Sequence, residues 1–351
     1  MKVRTLSDKT KLSILNKFLY IWIGLAMIAG VLLGKFVPGI TEWFDKVRFD
    51  TVSVPIAIGL LWMMYPVLAK VKYEKLGEVT KDWKVFSYSM FLNWAIGPFL
   101  MFGLAKLFLA DYPEYQIGLI LVGIARCIAM VLIWNLLAGG DNEKAAILVA
   151  LNSILQIFLY SVYAYFLIGA SLEISMWDVA KNVLIYLGIP LVAGFLTRFS
   201  LIRIKGKEWY EEKLLPKLSP TAMIGLLFTI IVMFAMQGET IIQNPIDILI
   251  ISVPLLLYFI LMFAFSYISS WLLKFKYADT VTISFTAASN NFELAIAVAV
   301  GIFGIDSMQA LATTVGPLIE VPVLLALVYV ARWSRKKMFK LETLTSNEQK
   351  H

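Results

Sequence analysis

Ten long apolar runs limit this chain more than any other feature. They cover residues 18–37, 52–70, 85–109, 116–138, 145–169, 176–198, 219–237, 246–273, 279–303 and 308–331. A helix that crosses a bilayer needs about 20 apolar residues, within about 17–25. In lipid every backbone polar group must be bonded inside the protein, so only helices and closed barrels can cross. Runs this long specify helices. The composition agrees, with 60% hydrophobic and 16% charged residues, against about 45–50% and 25% in soluble domains. The expected fold is an all-α polytopic membrane protein of ten transmembrane helices.

The cations between the runs set the orientation, because cytoplasmic connections are enriched in Lys and Arg. The leader 1–17 carries Lys2, Arg4, Lys9, Lys11 and Lys17. The second connection carries Lys70, Lys72, Lys75, Lys81 and Lys84. The sixth carries Arg198, Arg203, Lys205, Lys207, Lys213 and Lys217, and the eighth Lys274 and Lys276. The tail 332–351 adds Arg332, Arg335, Lys336, Lys337 and Lys340. Alternate connections are marked instead by Asp111 and Glu114, by Glu239 and by Asp306. Two fit less well: the fourth has only Lys144, and the first carries Lys46 and Arg48. The balance puts both termini in the cytoplasm of a plasma-membrane protein. The net charge of +7 is loop charge, and no aromatic-interleaved basic stretch points to nucleic acid. The first run is too long for a cleavable leader and reads as the first span. Ten spans with both ends inside divide into two five-helix repeats, 18–169 and 170–331, of opposite orientation. That is a common plan for secondary transporters.

In such proteins a pair of interrupted apolar segments, at matching places in the two halves, marks the binding site. The fourth run is interrupted at Gly123-Ile-Ala-Arg126-Cys127, and the ninth at Ser289-Asn290-Asn291 with Glu293 following. We expect both helices to be broken there and to cross at the bilayer midplane. The fifth and tenth runs also match, with Asn152 four residues before Gln156 and Gly316 four before Glu320, one helical turn apart. A charge at mid-span costs about 2.5–3.5 kcal/mol on insertion scales and marks function by default. Arg126, Glu293 and Glu320 accept that cost. The structural alternative is that Arg126 pairs with one of the glutamates to hold the bundle.

Cys127 is the only cysteine, which excludes an intrachain disulfide, and His351 is the only histidine. A lone buried Cys is usually a small hydrophobe. Its place beside Arg126 at a helix break favours a reactive thiolate, a ligand suited to soft ions. With no imidazole in a span, Glu293 is the natural proton carrier. No G-x-x-x-x-G-K-[ST] nucleotide site and no catalytic pair stands in a span, so we expect neither an enzyme nor a resident cofactor, and the sequence indicates no ATPase partner. Trp62-Met63-Met64 reads as lipid-facing or packing.

The stretches GIARCIAMVLIWNLLAGGDNEKAAILVALNSILQIFLYSVYAYF and NNFELAIAVAVGIFGIDSMQALATTVGPLIEVPVLLALVYV resemble the arsenite efflux permeases of the type-three arsenical-resistance class, within the bile-acid/sodium symporter superfamily. The resemblance implies a panel domain from helices 1, 2, 6 and 7, and a core domain from helices 3–5 and 8–10. It implies export of As(III), and in some members Sb(III), in exchange for protons. The family's essential cysteine, glutamate and arginine fall on Cys127, Glu293 and Arg126. On this reading Cys127 coordinates As(III) transiently. Asn290, Asn291, Ser289 and Asn152 bond its hydroxyls or the broken backbone. Glu293 and Glu320 serve proton coupling, and Arg126 biases Cys127 and Glu293 toward their charged forms. The rival readings are a sodium-coupled organic-anion symporter and a passive channel or receptor on the same fold.

Overall fold

The computed structural model describes residues 19–37, 52–169, 175–243, 245–304 and 307–339, with residues 39, 40, 46, 48 and 49. The leader, the 170–174 connection, Asp306 and the tail from 340 lie outside the described residues. Helix α1 is Leu19–Phe36, followed by the two-residue strands β1 Arg48–Phe49 and β2 Val52–Ser53, paired antiparallel. Helix α2 is Val54–Ala69, and a 3-10 run over Tyr73–Thr80 leads to α3, Trp83–Phe108. Next come α4 Pro113–Ile124, α5 Val131–Ala138, α6 Asn142–Ile168, α7 Met176–Lys205 and α8 Lys207–Met236. The chain closes with α9 Pro245–Leu272, α10 Tyr277–Ala288, α11 Phe292–Phe303 and α12 Met308–Met338.

Among the described residues six helices are long and apolar enough to cross a membrane, and four more apolar helices are shorter. This is a multi-pass membrane protein. Large apolar side chains stand exposed along the helices, such as Ile28 on α1, Phe158 and Phe166 on α6 and Leu249 on α9. In water such a surface would aggregate; against lipid it is solvated.

Local chemistry sets the helix ends. Asp141, Ser175 and Ser307 cap α6, α7 and α12 by accepting from Glu143, Trp177 and Ala310 N–H groups, satisfying donors that have no partner inside the helix. Gly139 ends α5 in the left-handed region, at φ 80°, where a Cβ would be strained.

The helices pack in two groups. In one, α8 lies between α1 and α2, and α2 also packs on α7. Small residues permit this contact, as is usual between helices in lipid: a Cβ on Gly30 would stand 2.6 Å from the Ile231 carbonyl oxygen. In the other group α9 packs on α10, α12 and α3, and α12 on α4 and α11. The first turns of α7 reach across to α6 and α11.

Two connections differ from expectation. Helix α8 continues beyond its span end at Met236 to Gln243, so Glu239 lies within it. Gly238 is tolerated there, and the next helix breaker is Pro245. Helix α7 runs past Arg198, which is buried rather than in a loop, held by Glu74 at 2.6 Å and Glu211 at 3.1 Å. Lys144, the lone cation of the fourth connection, ties three segments together through Asp82 at 3.0 Å and Asp279 at 2.7 Å. Burial alone would favour loss of its proton, and the two carboxylates outweigh that, holding it above the usual lysine value.

Candidate functional site

The two breaks meet. The chain turns extended at Ala125 (φ −87°, ψ 115°) after α4 and at Ser289 (φ −90°, ψ 144°) after α10. Between them Arg126 and Asn290 face each other as a single antiparallel bridge. The first break starts two residues later than the sequence implied. Gly123 is still helical and lets Met101 pack against its backbone.

Each break is tied off by residues of the other. The Asn290 side-chain amide donates to the carbonyls of Val122 at 2.8 Å and Ala125 at 3.1 Å. The Asn291 N–H also donates to Ala125 O, at 3.1 Å. In return the Arg126 guanidinium donates Nη1 to Ala287 O at 3.5 Å and to the Tyr258 hydroxyl at 3.2 Å, and Nη2 to Gly123 O. Buried backbone groups must find partners, and here polar side chains supply them where the helices cannot.

Two acceptors from neighbouring helices complete the crossing. Gln156 Oε1 on α6 accepts from the Arg126 N–H at 2.9 Å. Glu320 Oε1 on α12 accepts from the Asn290 N–H at 3.2 Å and from Ser289 Oγ at 2.6 Å. In both cases the acceptor stands 30 residues after the donor. Asn291 caps α11, its Oδ1 accepting from Leu294 N–H at 3.1 Å, and at the start of α5 Cys127 Sγ accepts from Val131 N–H at 3.4 Å. Asn152 Oδ1 accepts from Trp94 Nε1 at 3.2 Å.

Thus the structure brings together Arg126, Cys127, Ser289, Asn290, Asn291 and Glu320, with Asn152 one turn before Gln156 on α6, all of them buried. Among the described residues Arg126 makes no ion pair, so the expected alternative of an Arg126–glutamate bridge is not found. Several buried polar atoms around the crossing lack a partner among the described residues: Asn152 Nδ2, Asn290 Oδ1, Asn291 Nδ2 and Arg126 Nε. Such atoms are uncommon in folded proteins and call for a water or a ligand.

Glu293, in the first turn of α11, is placed differently. It lines a cavity of about 280 Å³ formed by α2, α5, α8 and the first break, with Lys70 and Pro216 also in its wall. It also lines a second cavity, of about 20 Å³, bounded by Met27, Phe234 and Thr314. Glu293, Met63 and Leu226 form the wall common to both. Trp62 is exposed and Met63 and Met64 are buried, Met63 in the wall of both cavities.

Sequence reasoning matched Gln156 to Glu320 without placing it in the site, and it left out Tyr258 and the cavity residue Met130. Gln156 had a signal, an amide at mid-span one turn after Asn152. Tyr258 and Met130 had none, since aromatic and thioether side chains are ordinary in apolar runs. Among the described residues no three His, Cys, Asp or Glu side chains gather to hold a metal ion. Any soft ligand bound here meets one thiol.

Residues 57–244 match the family described as the Sodium Bile acid symporter family. The chain is 46% identical over 346 residues to the arsenical-resistance protein Acr3 of Corynebacterium glutamicum, covering 96% of this chain and 94% of that one. It is 38% identical over 341 residues to an uncharacterised transporter of Synechocystis sp., covering 92% and 89%. It is 35% identical over 333 residues to the arsenical-resistance protein Acr3 of Alkaliphilus metalliredigens, covering 91% and 93%.

Proposed function

The chain belongs to the sodium bile acid symporter family, alongside its arsenical-resistance members, and from that premise we propose that it exports trivalent arsenic from the cytoplasm in exchange for protons. The observation that carries the reading is the crossing itself. One buried thiol lies at the first break, the amide side chains of the crossing keep unspent hydrogen-bonding capacity, and a carboxylate lies two residues beyond Asn291 in the wall of a cavity.

Arsenite at neutral pH is mainly the small neutral acid As(OH)₃, which exchanges a hydroxyl for a thiolate. A site with several thiols would hold it too tightly, and transport needs binding favourable enough to enter and weak enough to leave. Cys127 supplies a single soft ligand. Asn152, Asn290 and Asn291 offer amide groups to the remaining hydroxyls. Glu293, reachable from two cavities, takes up and releases the exchanged proton, with Glu320 on the same network. The larger cavity reaches the cation-rich ends of α2 and α8, which the charge bias assigns to the cytoplasm. Its volume, near 280 Å³, falls just under the range of about 300–1,000 Å³ typical of drug-sized ligands. That is ample for a substrate as small as As(OH)₃.

The wider architecture follows the same reading. The same number of residues separates Arg126 from Asn290, Cys127 from Asn291, Gln156 from Glu320 and Trp94 from Tyr258. Arg126 and Asn290 face each other, and Gln156 and Glu320 accept from their N–H groups, which supports two inverted five-helix repeats. The group of α1, α2, α7 and α8 then serves as a panel. The rest forms a core that rocks against it, exposing the crossing to either side in turn.

The test is arsenite accumulation in everted membrane vesicles, with and without a proton gradient, for the wild type and Cys127→Ser. The expected result is gradient-driven uptake that the variant loses while remaining folded. Full uptake by Cys127→Ser would make the thiol a packing residue. Uptake of an organic anion that follows sodium rather than protons would favour the symporter reading.

A further inference from the structure

The Arg126 guanidinium sits where two half-helices end. Helix α4 ends at Ile124 and α10 at Ala288. The cation donates to one carbonyl from each last turn, Gly123 O and Ala287 O, and to the Tyr258 hydroxyl. Gly123 and Ala287 are themselves separated by the same number of residues as Arg126 and Asn290. The guanidinium therefore lies between equivalent points of the two breaks. Both helices present the negative ends of their dipoles there. The side chain is fully buried, and among the described residues it meets no carboxylate. Oxygens balance its charge: two carbonyls and one hydroxyl. Backbone access is tight on the fourth side, where a Cβ on Gly97 would stand 2.5 Å from Nη1.

Unwound carbonyls and half-helix C-termini are what broken-helix transporters use to hold a coupling cation. The matched family is described as a sodium bile acid symporter family. We propose that Arg126 is a tethered cation: its guanidinium fills a monovalent-cation site formed by the two half-helix ends, so that the fold needs no sodium ion there. Arg126 is in this sense the residue that sets the ion requirement. The inference concerns a cation site, and it is read out by binding, so it stands or falls apart from the identity of the exported substrate.

The experiment is thermal unfolding of the purified protein in detergent, for the wild type and Arg126→Ala, in choline chloride with sodium chloride or low guanidinium chloride added. Removing the guanidinium leaves the carbonyl ends facing one another unbalanced. Arg126→Ala is therefore expected to melt lower than the wild type in choline. A free cation that binds the folded state raises the midpoint as its concentration grows. Sodium or guanidinium should recover several degrees in the variant and none in the wild type. Stabilisation of the variant by either ion supports the proposal. Indifference of Arg126→Ala to both overturns it. Should Arg126→Ala not fold in choline, its yield of folded protein when sodium or guanidinium is present from extraction onward replaces the melting curve. A wild-type protein whose own midpoint rises with sodium at millimolar concentration would also overturn the proposal, since a filled site has no room for a second cation.

Discussion

At the residue scale the clearest asymmetry is between Gln156 and Glu320. They play one part in the two halves of the crossing, accepting from a bridge N–H 30 residues earlier, yet only one of them ionises. Gln156 places its amide Nε2 on Asn152 O, one turn back, at 3.3 Å. A glutamine at 320 has Gly316 O available in the same way. Glu320→Gln should therefore keep both acceptor bonds, to Ser289 Oγ and Asn290 N–H, and melt close to the wild type. Glu320→Ala leaves both donors without an acceptor, and each buried unsatisfied donor costs about 1–3 kcal/mol. Its melting midpoint should fall well below that of Glu320→Gln. Equal midpoints for the two variants would show that the carboxylate does not hold the break. The sequence made the polar cluster visible here because charges and amides stand out in apolar runs. It could not tell a capping group from a ligand-facing one. Asn290 is mostly spent on Val122 O and Ala125 O, while Glu293 alone of the candidates lines the cavity.

At the scale of the elements, helix existence was legible because length and apolarity are the whole signal in a membrane. The limits of the helices were less so. Breakers set them, and Gly123 and Gly238 look like breakers but serve as helical residues (one beside Met101, the other against Val31). Helix contacts left only a faint trace in the sequence, the spacing of Gly30 and Gly34. In the structure the α1 backbone passes close to α8 at both, with the Ala235 carbonyl against Gly34 and Ile231 O and Phe234 Cβ against Gly30. The nearest atoms include backbone, which cannot swing aside. Gly30→Val should therefore force α1 away from α8, at a cost typical of overpacking, about 1–3 kcal/mol. Gly24→Val, on the same helix with open space around its Cβ position, should be nearly neutral. Melting curves of the two variants check this, and similar losses in both would mean that α1 and α8 are not in close contact.

For the molecule as a whole, charge bias and segment count spoke for orientation and for two halves, but not for which helices move together. That grouping is a property of packing, and packing among apolar runs has no strong sequence signature. The structure separates α1, α2 and α8 from most of α3–α6 and α9–α12, with α7 touching both groups, and the larger cavity opens between the two. Met223 of α8 and Met130 of the first break line it from opposite groups. If transport requires the groups to rock, a covalent strut across this cavity should stop it. The natural chain has one thiol, Cys127, buried at 2% exposure, so introduced cysteines at the cavity wall should react first. In Met130→Cys/Met223→Cys a reversible bifunctional thiol reagent should abolish arsenite accumulation in vesicles, and cleavage of the strut followed by washing should restore it. Each single variant treated with the same reagent carries a dangling group in the cavity and controls for simple blockage. Accumulation that continues at the wild-type rate, with the strut verified by mass spectrometry, would mean that the substrate passes without relative movement of the groups. The passive-channel reading would then replace the rocking one.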